Sequence, residues 1–396
     1  MPTWKAPGDG DHEGRRGSIH RSRLMSVRKR TFQGIAWMAG GSWLQLLLSV
    51  VSFFVVTSRL GPTQVGIFGI AALLVGVCQT LVGGLFTDSL QQRQDLRPAQ
   101  INATFWISLI LALALAGGLV LWRTELSRRM GSADADRVLA ILAIGIPLGA
   151  AASIPGALMV RELRYGVVVR INAVGAVVSS LISVVAVLFG AGVWSLVAGD
   201  LAGKALKLVL LVGAARYKPG PPKDLGAIGD LMRFNLGSLG AYLVGYADRT
   251  APRALTSALL GPQAMGYLIL AERVLDLLSQ LVLAPLSAVA MAAVARLQDD
   301  RPALQSLVLG LYQLATGVGY PAFFGALVVT PLLPDLIGQH WAPAVLTAQI
   351  LLIVGLRTST GVFNIGILRG LGSSATPLLL LGLGLLLFRS NGSRQQ

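Results

Sequence analysis

The chain has 396 residues, of which 54% are hydrophobic and only 13% charged, and its mean hydropathy is +0.68. A soluble globule needs about twice that share of charge to cover its surface, so the composition excludes one and reads as an integral membrane protein. The formal charge of +15, one cysteine (Cys78) and three scattered histidines (His12, His20, His340) leave no disulfide framework and no metal or catalytic constellation.

Residues 1–30 are polar and Arg-rich, with Arg15, Arg16, Arg21, Arg23, Arg28, Lys29 and Arg30 and no apolar period, which predicts a disordered basic cytoplasmic tail. Apolar runs then recur at about 33–57, 65–87, 103–122, 138–159, 167–189 and 192–214, each long enough to cross a hydrocarbon layer of ~30 Å as a helix. These six spans define a first lobe over 31–214. The stretch ARYKPGPPKDLG is the most Pro-rich and charged interior segment, so 215–231 reads as a cytoplasmic linker. Spans resume at about 234–258, 263–292, 304–329, 343–366 and 375–388, giving a second lobe over 232–396 of about five helices, one span short of the first. An alternating barrel pattern is absent, so the fold class is all-α integral membrane with about 11 transmembrane helices.

The two lobes repeat each other. LGPTQVGIF at Leu60–Phe68 returns as LGPQAMGYL at Leu260–Leu268. QDLRPA from Gln94 returns as QDDRPA from Gln298, and Arg161 has its counterpart in Arg369. Three markers in one order, at offsets of roughly 200, 204 and 208 residues, are the signature of a duplicated unit, and the even number of spans between copies makes the repeat parallel. In each LGP copy the glycine breaks one helix and the proline starts the next. A short corner at the outer interface is expected there, with no substrate role. Placing the tail inside also places Arg93, Arg97, Arg161, Arg164, Arg216, Lys218, Lys223, Arg296, Arg301 and Arg369 inside. The opposite side keeps Arg59 and the loop 123–137, which is diluted by Glu125, Asp134 and Asp136. The basic loops therefore predict an N-terminus in the cytoplasm and contact with anionic membrane lipids, and not nucleic-acid binding.

GIAWMAGGSWLQ, TSRLGPTQVGIFGIA, NATFW, MVRELRY and GAGVWSLVAGDL, in that order, resemble bacterial oligosaccharide flippases of the polysaccharide transporter family, within the multidrug/oligosaccharidyl-lipid/polysaccharide exporter superfamily. The resemblance covers most of 28–375. It implies two helical lobes around a central cavity and a secondary transporter, not an enzyme, in the bacterial inner membrane. It further implies a polyprenyl-diphosphate-linked oligosaccharide as cargo, moved by alternating access and handed to polysaccharide polymerase machinery. A multidrug or cation antiporter of the same superfamily is the alternative, and it would favour acidic groups at mid-span. A polytopic glycosyltransferase or ligase is the alternative from another class; the largest outside loop, 123–137, is short for a catalytic segment.

A charged diphosphate crossing a bilayer needs a cationic path, which directs attention to basic residues inside spans. Arg249 and Arg253 lie one helical turn apart beside Asp248; a lipid-facing position would cost ~2.5–3.5 kcal/mol each, so a cavity is the cheaper home. Arg357 and Lys204 complete the substrate-binding candidates. Lys204 also forms an i,i+4 pair with Asp200, while Lys207 is placed to snorkel to the interface. Glu272 and Asp276 share a helical face and, with Asp248, are the ion-coupling candidates; Glu272 and Arg273 also suit a helix–helix ion pair. GDLAGK at 199–204 is one residue short of a phosphate loop and has Ala205 where a hydroxyl must hold magnesium, so no nucleotide cofactor is predicted.

Overall fold

The computed structural model describes residues 46, 48–92, 97–221, 229–283 and 301–370. The predicted tail over 1–30, most of the first span and the eleventh span at 375–388 fall outside them. Among the described residues the structure is helical and has no strand. We name the helices α1 (Leu48–Arg59), α2 (Pro62–Gln92), α3 (Pro98–Leu121), α4 (Arg123–Arg129), α5 (Ala135–Leu142), α6 (Gly145–Arg161), α7 (Tyr165–Leu188), α8 (Trp194–Ala215) and α9 (Gly229–Leu278). α10 (Arg301–Val329), α11 (Leu333–Ile337) and α12 (Ala342–Gly370) follow.

Among the described residues seven segments are long and apolar enough to cross a membrane. That figure differs from the sequence count for local reasons. Leu243–Leu283 counts once although it contains two spans, Leu48–Arg59 is only part of the first, and α8 is burdened by Asp200, Lys204 and Lys207. The fourth predicted span is α5 and α6, separated by a turn at Ala143 and Ile144. The loop 123–137 contains α4, whose Arg129 is bonded to Glu125 at 2.6 Å.

α9 is two helices run together. At Gly261 φ is 80° and ψ is −176°, a conformation that an L side chain resists. In a straight helix Arg253 and Glu272, nineteen positions apart, would be separated by about 28 Å at 1.5 Å per residue. Their side chains are 2.7 Å apart instead. The chain therefore doubles back at Gly261, as the repeat of the first LGP corner predicts.

The corners do more than turn the chain. A side-chain carbon added at Gly66 would lie 1.6 Å from the Pro262 carbonyl oxygen, and one added at Gly266 would lie 2.0 Å from the Pro62 carbonyl oxygen. The glycine of each GPxxxG copy thus seats the first helical turn of the other, and α2 and α9 meet backbone to backbone, as small residues permit. Around this contact Leu60, Val65, Leu270, Ile337 and Trp341 form a buried cluster, and the Trp341 Nε1–H donates to the Thr57 carbonyl oxygen at 3.1 Å. Further along the seam the Tyr246 hydroxyl donates to the Leu73 carbonyl oxygen at 3.2 Å.

The opposite end is fixed by the NATFW stretch. The Tyr217 hydroxyl donates to Asn102 Oδ1 at 2.9 Å, the Trp106 Nε1–H donates to the Gly220 carbonyl oxygen at 2.9 Å, and the Phe105 and Tyr217 rings sit 5.8 Å apart. Residues 217–220 are therefore docked on α3. Arg164, between α6 and α7, donates to the Ala214 carbonyl oxygen of α8 at 3.2 Å. Arg97, Arg164, Arg216 and Lys218 consequently share one end of the first lobe, and the LGP corners occupy the other.

Two predictions follow from these packing contacts. Gly66→Ala and Gly266→Ala should each lower the unfolding free energy by about 1–3 kcal/mol through overpacking, whereas Gly117→Ala, which meets nothing within 4 Å, should be close to neutral in the same denaturation series. Burial pushes the Tyr217 phenol up from 10.0 to about 12. The folded state favours the protonated phenol, so this contribution is whole below the ordinary phenol range and is lost as pH rises through about 12. In a tyrosinate absorbance titration, Tyr217→Phe should remove a step near the upper value, not one at the ordinary value.

Candidate functional site

Two polar regions lie within the membrane-spanning part. The first lies among α1, α7 and α9. The Arg253 Nε–H donates to Glu272 Oε2 at 2.7 Å, joining the two arms of α9, with side chains 40% and 20% exposed. The next residue, Arg273, reaches the first lobe: it donates to the Ser49 hydroxyl, and its guanidinium carbon lies 5.5 Å from the centre of the Phe53 ring. Its Nε–H is buried and has no hydrogen-bond partner among the described residues. Arg273 closes a crevice of about 160 Å³ whose walls carry the hydroxyl groups of Ser49, Ser52, Thr57, Ser179, Ser180 and Ser183.

The second region is a cavity of about 390 Å³ inside the first lobe, bounded by α2, α6, α7 and α8. Lys204 and Lys207 line it together with Gln79 and Ser153, against apolar walls that include Val82 and Leu211. The Lys204 ammonium donates to Asp200 Oδ2 at 2.7 Å, with both side chains largely covered. The Gln79 side-chain amide donates to the Gly145 carbonyl oxygen at 3.1 Å, which ties α2 to the start of α6.

The sequence candidates therefore separate. Arg253 and Glu272 come together as an ion pair, so the pairing expected between Glu272 and Arg273 goes to Arg253, and Arg273 is released to the first lobe. Asp248 and Arg249 are exposed on α9, and Asp276 is exposed one turn beyond Glu272. Lys204 is in the first-lobe cavity. Arg357 belongs to α12, and its side chain falls outside the described residues. Sequence reasoning passed over the hydroxyl face of α7. Ser179, Ser180 and Ser183, read with Ser49 and Ser52 on α1, were its only signal. Among the described residues no group of histidine, cysteine, aspartate and glutamate could hold a metal ion.

Residues 55–346 match the model of the family described as "Polysaccharide biosynthesis protein". The chain belongs to this family. It is 26% identical over 353 residues to the succinoglycan biosynthesis transport protein ExoT of Rhizobium meliloti (strain 1021), a match covering 88% of this chain and 70% of that one. It is 22% identical over 343 residues to the lipopolysaccharide biosynthesis protein WzxC of Escherichia coli (strain K12), covering 85% and 69%. Among solved structures, the lipid II flippase MurJ in an inward closed conformation superposes with a TM-score of 0.72 at 12% identity, covering 86% of this chain and 77% of that one. An inward-facing multidrug resistance transporter of the MATE family superposes with a TM-score of 0.65 at 15% identity, covering 85% and 83%. These last two show the fold: that of a multi-pass helical membrane protein.

The Arg253–Glu272 pair is open to direct measurement. A double-mutant cycle of Arg253→Ala and Glu272→Ala should return a coupling of about 1 kcal/mol, modest because the arginine is partly exposed. Additive single effects would show that the two side chains do not stabilise each other.

Proposed function

We infer that this protein is a flippase that translocates a polyprenyl-diphosphate-linked oligosaccharide across the bacterial cytoplasmic membrane for polysaccharide export, by alternating access between its two lobes. The observation that carries this reading is a member of a polysaccharide biosynthesis family whose two lobes meet along α2 and α9 with several cationic side chains held at membrane depth. Retaining such charges in an apolar chain is costly, and an anionic, hydrated cargo gives them a use. Arg249, Arg253, Arg357 and Lys204 are the proposed substrate contacts, and Arg273 joins them because it reaches across the boundary. Asp248, Glu272 and Asp276 are the proposed coupling carboxylates; protonation of Glu272 would release Arg253 to the cargo.

The end bearing Arg97, Arg164, Arg216 and Lys218 is proposed to face the cytoplasm, where these residues meet anionic lipid headgroups. On the far side the cargo would pass to polymerase machinery. No covalent step is assigned to the protein, and energy would come from cargo supply or an ion gradient.

The test is reconstitution into vesicles with a fluorescent polyprenyl-diphosphate oligosaccharide, reading the rate at which label on the inner leaflet becomes accessible outside. Wild type should move the label, and Arg253→Ala and Arg357→Ala should each slow it about tenfold, the equivalent of one charge-assisted contact. No translocation by the wild-type protein would remove the reading.

A further inference from the structure

The first-lobe cavity contains a cation that the fold does not use. Lys204 and Lys207 lie on the same side of α8, three residues apart, and both line the cavity. Their situations differ. Lys204 is neutralised by Asp200 one turn before it. Lys207 is half-buried and has no ion-pair or hydrogen-bond partner among the described residues. It is placed too deep along α8 to count as a terminal residue, since the helix continues to Ala215.

The other polar groups of the cavity are already occupied with the backbone. Ser153 donates its hydroxyl proton to the Ala150 carbonyl oxygen at 2.7 Å, and Gln79 donates to Gly145. Among the described residues no acidic side chain lines the space. An occupant must therefore bring both negative charge and acceptor oxygens to Lys207, and it meets apolar walls at Val82, Ile146 and Leu211 on the way.

We propose that Lys207 is the anion-binding residue of a phosphate site inside the first lobe, beside Lys204, which Asp200 holds at 2.7 Å. The occupant is the phosphate or diphosphate group of an amphiphile, whose chain follows the apolar walls. This rests on the flippase reading for the chemical identity of the amphiphile, while the site itself rests on the geometry of the cavity. Lys207 was the residue that sequence alone assigns to interface snorkelling; the cavity gives it a different task.

The experiment uses the full chain in detergent with a fluorescent polyprenyl diphosphate as probe and inorganic pyrophosphate as competitor. Lys207→Gln should weaken probe binding about tenfold, as loss of one such contact requires, and Lys207→Arg should preserve it. On the unaltered protein, the probe should slow acetylation of the Lys207 amine, read by mass spectrometry, so the result does not depend on a variant that folds. Competition by pyrophosphate would assign recognition to the phosphates alone; its failure, with Lys207 still required, would assign it to headgroup and chain together. Unchanged binding by Lys207→Gln, or no protection of Lys207, would overturn the proposal. Lys207-dependent binding without translocation in vesicles would remove the flippase reading and leave this site. Wild-type translocation by Lys207→Gln would do the reverse.

Discussion

Two glycines with no room for a methyl group set the geometry of this molecule. Gly66 and Gly266 each press against the carbonyl of the proline that starts the other copy of the GPxxxG corner. A backbone approach this close fixes the separation and rotation of α2 and α9 at one end of the membrane. The buried cluster around Leu60, Leu270 and Trp341 seals that end, and the bond from Trp341 to Thr57 adds a second link between lobes. Everything polar at the boundary is then positioned by its distance along the chain from the corner: Tyr246, the Arg253–Glu272 pair, and Arg273 above Phe53. At the corner itself the contact is backbone against backbone, and the large side chains of the cluster pack around it.

The charges divide between the lobes in a way that fits a two-sided carrier. The second lobe presents arginines at the boundary, one held by Glu272 and one extended into a hydroxyl-walled crevice. The first lobe encloses two lysines, one held by Asp200. Each polar region thus sets a cation held by a carboxylate beside a second cation that makes no salt bridge among the described residues. An anionic headgroup passing between lobes would meet a cation on both sides, while the paired carboxylates limit how tightly it can be trapped, a balance between entry and release that any carrier needs.

The helical architecture and the reversal of the chain at the second LGP corner were legible in the sequence, because hydropathy runs and a repeated motif survive without knowledge of contacts. The role of the LGP corners was not. Their spacing announces a duplication, but that the two copies face each other depends on tertiary placement, and a glycine four residues after the proline of each copy is too common in membrane helices to signal it alone. NATFW was legible as a motif and not as a clasp, since its partners, Tyr217 and Gly220, come about a hundred residues later. Among the candidate residues, i,i+4 logic found Asp200 with Lys204. It could not choose between Arg253 and Arg273 as the partner of Glu272, because the choice is made by the reversal at Gly261.

The central claim is that the two corners are the closed side of a pair of lobes that separate during transport. It is tested most directly by spin labels at the equivalent exposed positions Thr63 and Gln263, in a background where Cys78 is replaced by alanine, with distances measured in vesicles with and without a lipid-linked oligosaccharide. The account predicts a short distance in the free protein and a second, longer population when cargo is present. A single short distance under both conditions, in protein that still moves cargo, would contradict it.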